Sequence, residues 1–315
     1  IKELNLQDAV YVLCDSTFMV VDISNKASPT IVKTVTTAIY GNHSHSSIAV
    51  SGNYLYILQL NDYVLSMYNI TDPLNPVLIP ALNIGSSGGY PKTVTVSAGY
   101  AYVTRYTNSS PAIQIINVSD PYNATIVKTM TVPNWPRWIT ISGGYMYVTF
   151  DQGGSANMQI YSLTNPANPT LLYSMPSNVM LGGHAREYIA GKYMYTDAGD
   201  NGRLHVSDIT NKASPSIVFN SPYSIIQRPT RMDGAEGYLY ISENTATNNV
   251  MTPRFQVWSI ADPELPVKVN TISTPPIPWG IVAVVAKNGY LFILDSGYNT
   301  TGNLRIYRTG PEAPS

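Results

Sequence analysis

A unit of about 45 residues occurs seven times between Ile1 and Ser315, and a chain built from one short repeated unit has few folds open to it. Residues 52–80, GNYLYILQLNDYVLSMYNITDPLNPVLIP, show the unit well. Gly52 and Asn53 form a turn that opens the run YLYIL, in which Tyr54, Tyr56 and Leu58 share one face and Leu55 and Ile57 the other. Both faces are apolar, as expected of a strand buried between two layers. After the polar turn Asn61–Asp62 comes a second strand, VLSMYNI, at hairpin spacing. In TDPLNP, Asp72 accepts from nearby amides and Pro73 fixes its own φ, so the strand stops and turns. A third strand, VLIPAL, leaves the turn, and its Pro80 restricts it to an edge or a bulge.

The second aromatic of the opening strand recurs as Tyr11, Tyr56, Tyr102, Tyr147, Tyr195, Tyr240 and Phe292, at spacings of 45, 46, 45, 48, 45 and 52. The turn recurs with it as SNKASP, TDPLNP, SDPYNA, TNPANP, TNKASP, ADPELP and TGPEAP. One further short strand precedes the aromatic pair in six copies: SSIAVS, KTVTVSA, RWITIS, AREYIA, TRMDGAE and GIVAVVA. Four short strands in about 45 residues is the period of a propeller blade. The sequence therefore predicts an all-β chain, a seven-bladed β-propeller of four-stranded antiparallel blades, with residues 1–315 forming a single domain. TGPEAPS aligns with TDPLNPV, so the seventh blade is expected to lack its outer strand, or to take it from another segment or subunit.

The Tyr-x-Tyr strand, the run ending in Asp-Ile-Ser/Thr and the Asn/Asp-Pro-x-x-Pro turn together resemble the LVIVD-repeat β-propellers over essentially the whole chain. A weaker likeness, carried by AYVTRYTN and MYVTFD, is to the YVTN-type surface propellers. The resemblance implies a secreted or cell-surface propeller and no shared catalytic set.

Composition agrees with that expectation. Hydrophobic residues at 44% suffice for a large core, while charged residues at 12% are about half the usual share. Asn, Ser, Thr and the 24 Tyr must then cover the surface, which reads as extracellular. A net charge of -1 gives no field to hold nucleic acid or an acidic membrane. No apolar run approaches the ~18 residues of a transmembrane segment. The single cysteine, Cys14, excludes an internal disulfide and reads as a buried, inert thiol. Ile1 in place of Met suggests that a signal peptide or a longer N-terminal region precedes it, removed or left out of the sequence.

Chemistry is expected where the segments entering the innermost strands meet. GNHSHSS, GGYPKT, NWPRW, GGHAREY, QRPTRM and PIPWG read as loops carrying His43, His45, Lys92, Arg137, His184, Arg186 and Arg231, with Trp135 and Trp279 beside them. Gathered in an axial funnel, these cations favour a carboxylate, phosphate or acidic sugar. The alternative is that they cap the channel and pair with acids such as Asp15, Asp151, Asp197 and Glu243 at the ends of the second strands. His43, His45 and His184 also form a candidate metal set. His205, inside RLHVSDI, reads as structural. Of the Asn-x-Ser/Thr sequons, Asn42, Asn108, Asn123 and Asn299 fall in expected loops; Asn69 and Asn117 sit at the repeat position of Asp22 and Asp208.

No G-x-S-x-G elbow, P-loop or dinucleotide fingerprint is present, and no cofactor is implied. The first reading is a binding or structural interaction module whose partners are other surface proteins, with self-association through the seventh blade's edge. The second is a surface hydrolase or lyase acting on an acidic glycan in the basic funnel, with a carboxylate pair drawn from Asp151, Asp197, Glu243 and Asp295.

Overall fold

The computed structural model describes residues 2–3, 9–14, 17–37, 47–60, 62–86, 89–106, 110–151, 158–175, 187–197, 202–226, 229–247, 250–273, 281–297 and 300–310. Among these the chain is all-β apart from one 3-10 turn, Pro121–Asn123. Seven antiparallel sheets follow one another in chain order. Blade 1 comprises β1 (Lys2–Glu3), β2 (Ala9–Cys14), β3 (Thr17–Asp22) and β4 (Thr30–Thr36); blade 2 comprises β5 (Ser47–Ser51), β6 (Tyr54–Gln59), β7 (Val64–Asn69) and β8 (Val77–Asn83). Blade 3 holds β9 (Tyr90–Ser97), β10 (Tyr100–Tyr106), β11 (Ala112–Asn117) and β12 (Thr125–Thr131), and blade 4 holds β13 (Trp135–Ser142), β14 (Tyr145–Asp151), β15 (Met158–Ser162) and β16 (Thr170–Ser174). Blade 5 is β17 (Glu187–Ala190), β18 (Tyr193–Asp197), β19 (Leu204–Asp208) and β20 (Ser216–Asn220); blade 6 is β21 (Pro229–Ala235), β22 (Tyr238–Thr247), β23 (Val250–Ser259) and β24 (Val267–Ser273). Blade 7 has three strands among the described residues: β25 (Ile281–Lys287), β26 (Tyr290–Gly297) and β27 (Thr300–Arg308). Blades 1–4 lie in one compact unit, Lys2–Asp151 with Met158–Ser174, and blades 5–7 in a second that includes Met175–Ser315.

The repeated turn is a double Asx turn, which explains its residue choice. In blade 1, Asp22 Oδ1 accepts from Ser24 N at 2.8 Å, and Asn25 Oδ1 then accepts from Ala27 N at 3.2 Å. Asn69 and Asp72 do the same for Thr71 and Leu74, Asn117 and Asp120 for Ser119 and Tyr122, and Asp208 and Asn211 for Thr210 and Ala213. Each side chain satisfies an amide that the turn leaves without a strand partner. Hydrogen bonds from Thr210 and Lys192 together pull the half-buried Asp208 carboxyl down to about 2. Beyond the turn, the outer pair carries a bulge in every four-stranded blade, and in blade 2 Pro80 sits in the unpaired stretch between Ile79 and Leu82, where its missing N–H costs nothing.

The second strand of each blade is buried on both faces, as its pattern requires: Leu55, Tyr56, Ile57 and Leu58 are all 2% exposed or less. Its side chains pack between blades. Tyr11, Phe18 and Val20 of blade 1 join Leu55, Ile57 and Tyr68 of blade 2. Tyr56, Leu58 and Met67 join Val94, Ala101 and Val103, and Tyr102, Ile113 and Ile115 join Ile139, Met146 and Val148. In the second unit Tyr195 and Val206 join Leu239, Ile241 and Trp258, while Tyr240, Phe255 and Val257 join Val284, Leu291 and Ile293. Each such side chain contributes about 1.5–3 kcal/mol by leaving water.

Two sets of polar clamps tie neighbouring blades. The recurring tyrosine reaches the next blade's turn: Tyr11 Oη donates to Pro73 O at 2.7 Å, Tyr102 Oη donates to Pro166 O at 2.9 Å, and Tyr240 Oη accepts from Gly310 N at 2.9 Å. Tyr195 Oη has no hydrogen-bond partner among the described residues. At the other end of the blade, a buried side chain caps a carbonyl that follows the preceding blade's outer strand. Gln59 Nε2 donates to Thr37 O, Gln114 Nε2 to Ile84 O at 3.1 Å, and Gln256 Nε2 to Ile225 O at 2.7 Å.

Burial pushes the Tyr56, Tyr102, Tyr147, Tyr161 and Tyr195 phenols up to about 12. Because the folded value lies above the unfolded value of 10.0, this contribution to stability is complete below pH 10 and is lost as the pH rises through about 12. We expect these phenols to ionise in one step that coincides with loss of the strand signal in circular dichroism. A gradual tyrosinate titration near pH 10 with the strand signal intact would contradict this.

The turns joining the first two strands enter the left-handed region at Gly52, Ala98, Gly143, Gly191, Glu236 and Asn288, at φ between 49° and 58°, and four of them stay there for a second residue, Gly99, Gly144, Gly237 or Gly289. Ala98 has no side-chain group to offset the crowding of its Cβ. Ala98→Asn, which copies Asn288, is expected to stabilise the protein by about 0.5–1 kcal/mol in urea unfolding.

Candidate functional site

The innermost strands, not loops, carry the described members of the sequence-predicted site. Lys92 lies in β9, Arg137 in β13 and Arg231 in β21, whereas GGYPKT, NWPRW and QRPTRM had read as loops. The reason is pairing: the second strands run far enough to hold these segments, as in Tyr106↔Tyr90, Asp151↔Trp135 and Glu243↔Pro229. His43, His45, His184, Arg186 and Trp279 lie outside the described residues, as do Asn42, Asn108 and Asn299.

A bulge interrupts each of these inner strands near its cation. The register shifts opposite Val103 to Arg105 in blade 3, between Pro136 and Trp138 in blade 4, and between Pro229 and Arg231 in blade 6. Arg137 is itself the extra residue in β13. A hydroxyl from the second strand holds the bulge in two of these blades. Thr104 Oγ1 accepts from Thr93 N at 3.0 Å, and Ser242 Oγ accepts from Arg231 N at 2.9 Å while donating to Arg231 O at 3.1 Å. Bulges re-aim side chains, and here they do so where Lys92, Arg137 and Arg231 stand half-buried. Lys92 and Arg137 occupy adjoining inner strands of the first unit; Arg231 belongs to the second.

Those two inner strands are also stitched together. Thr93 Oγ1 donates to Arg137 O at 3.3 Å, Thr95 Oγ1 donates to Ile139 O at 2.9 Å, and Ser47 Oγ of β5 accepts from Val94 N at 3.1 Å.

Of the acids at the strand ends, Glu243 is fully buried and tied within its own blade: Arg254 Nε donates to Oε2 at 2.5 Å and Gln256 Nε2 to Oε1 at 2.8 Å. Trp258 Nε1 in turn donates to Gln256 Oε1 at 2.8 Å. A carboxylate so committed is a strut of the fold. Asp197 is fully buried, and Asp151 ends β14. His205 is 6% exposed and its Nδ1 meets Asn220 Oδ1; burial lowers its pKa and keeps it neutral, in keeping with a structural histidine. Among the described residues, no three His, Cys, Asp or Glu side chains gather to hold a metal, and no helix is long and apolar enough to cross a membrane.

The sequons divide by geometry. Asn123 closes the 3-10 turn with Nδ2 donating to Asp120 Oδ2 at 2.7 Å, whereas Asn69 and Asn117 spend Oδ1 on their turns.

Residue-by-residue reading missed an aromatic row along one end of blades 2–4. Tyr63, in the turn before β7, stacks on Tyr90 with ring centroids 6.0 Å apart and planes at 18°. Tyr90 opens β9 and pairs in register with Tyr106, the last residue of β10. Tyr106 meets Trp135, the first residue of β13, at 4.5 Å. Tyr63 has φ 53°, a conformation a bulky side chain rarely adopts, and the buried Arg105 guanidinium lies 5.6 Å from its ring centre. A sequence signal existed: Tyr63, Tyr90 and Tyr106 are aromatics at positions where the other copies of the unit mostly have none.

The repeat geometry can be set beside known proteins. The model of the LVIVD repeat matches residues 10–37, 44–79, 88–131, 137–175 and 182–221, which is more than half of the chain. The chain belongs to the LVIVD-repeat family. Blade 6 lies beyond those matches but keeps the same strand and turn pattern, and blade 7 keeps the first three strands. No curated protein sequence matches the chain. Among solved structures, this LVIVD-repeat protein is similar to the Myceliophteria thermophila Cps50 (Swd1) β-propeller domain, with a TM-score of 0.67 and 11% identity over 96% of this chain and 93% of that one. Kuenenia stuttgartiensis hydrazine synthase gives 0.65 and 14%, over 96% and 92%. A putative 6-phosphogluconolactonase from Bacteroides fragilis gives 0.68 and 11%, over 99% and 94%. Such distant likenesses bear on the fold, and it is the seven-bladed β-propeller, a general interaction scaffold.

Proposed function

We propose that this LVIVD-repeat protein is a secreted or cell-surface binding module. The observation that carries the reading is the outer strand of each of the first six blades, which shows apolar side chains to water directly after the turn. Ile31 and Val32, Val77 and Leu78, Ile126 and Val127, then Leu171, Ile217 and Val267 are all 40–62% exposed. An edge that repeats this pattern from blade to blade suits contact with other surfaces, in a chain whose outward polarity comes mainly from Asn, Ser, Thr and Tyr. The low charge supports an exterior setting, and the clamps between blades give recognition residues a rigid support. Membrane-impermeant amine labelling of intact source cells tests the location. Labelling before lysis is expected, and a protein labelled only after lysis would overturn the reading.

A further inference from the structure

We propose that the row Tyr63–Tyr90–Tyr106–Trp135 is a binding platform for an oligosaccharide that carries uronic acids. This rests on the binding-module reading and names the ligand class.

All four rings are at least partly open to water, and Tyr90 is 52% exposed. A row of aromatics along the end of three successive blades is costly to leave wet unless something covers it. Pyranose rings present flat faces of C–H bonds that stack on aromatic faces, while their hydroxyls stay hydrated. A half-wet row of Tyr and Trp matches that mixture, since each ring has an apolar body and a polar tip. The strained backbone at Tyr63 holds the first ring against the second, and such strain is maintained by its surroundings where it serves a site.

An extended peptide adding to the inner strands is the competing occupant, and the hydrogen bonding disfavours it. Strand addition needs open main-chain groups along an edge. Here Arg137 O and Ile139 O already accept from Thr93 and Thr95, and Val94 N already donates to Ser47. The platform therefore offers rings and side chains in place of backbone. The strands bearing the row carry Lys92, Arg105 and Arg137, against Asp62 before Tyr63 and Asp151 at the end of β14. The cationic excess favours a chain with carboxylates over a neutral one.

The test is titration calorimetry of the full chain with hexagalacturonate and, in parallel, with a neutral hexaglucan. We expect hexagalacturonate to bind more tightly than the neutral chain and to weaken about tenfold or more on Tyr90→Ala or Trp135→Ala, each expected to keep the wild-type melting transition. Tyr90→Phe, which keeps the ring, is expected to retain binding. Absence of hexagalacturonate binding, equal affinity for the two chains, or binding unchanged by Tyr90→Ala overturns the proposal. Any of these outcomes alongside labelling of intact cells removes the sugar platform and leaves the surface module standing.

Discussion

Tyr102→Ala is expected to cost about 3–5 kcal/mol, a large part of the 5–15 kcal/mol that holds a typical domain folded. Tyr102 is fully buried between blades 3 and 4, where it packs with Ile139, Met146 and Val148. Truncation opens a cavity in that layer and strips Pro166 O of its donor. Tyr102→Phe separates the two effects: the ring stays, the hydroxyl goes, and the cost falls to about 1 kcal/mol. Urea unfolding of both variants measures the difference. Equal, small losses for the two would show that the phenol is not what joins these blades.

Arg105→Ala is the second large effect, at about 3–5 kcal/mol. The side chain is fully buried, and its Nη1 donates to Ile84 O at 3.2 Å and to Gln114 Oε1 at 3.3 Å, while Nη2 donates to Gly85 O at 2.5 Å. Burial lowers its pKa, the mark of a cation taken from water and held by neutral acceptors. Alanine leaves a void and removes the donor to Gly85 O. Arg105→Met keeps most of the volume and is expected to recover about half of the loss. Arg105 also lies against Tyr63, so Arg105→Ala should weaken hexagalacturonate binding even under conditions where the variant is fully folded.

The repeat made the fold legible. The Tyr-x-Tyr strands, the six inner strands and the first six turns of the Asp-Pro-x-x-Pro kind stand where the period put them, and the doubled Asx turns supply the physical reason for the motif. The site was far less legible, for two reasons. The loop reading of Lys92, Arg137 and Arg231 failed because Pro and Gly near these residues read as turn punctuation, while the partner strand and a bulge absorb them. The blade-to-blade caps escaped notice because their side chains stand on different strands: Gln59 and Arg105 lie near the end of the second strand, Gln114 and Gln256 on the third. The second-strand position holds Gln59, Arg105 and Glu243 in turn, the last bonded within its own blade, so no residue type recurs there to give a periodic signal. The aromatic row lies on the departures from the repeat, where individual function is free to vary while the framework stays fixed.

The most direct test of the whole account is a crystal structure of the full chain grown with hexagalacturonate. The account predicts sugar rings lying along Tyr90 and Trp135 with a carboxylate turned toward Lys92 or Arg137. A fully occupied ligand elsewhere on the molecule, with the aromatic row bare, would contradict it.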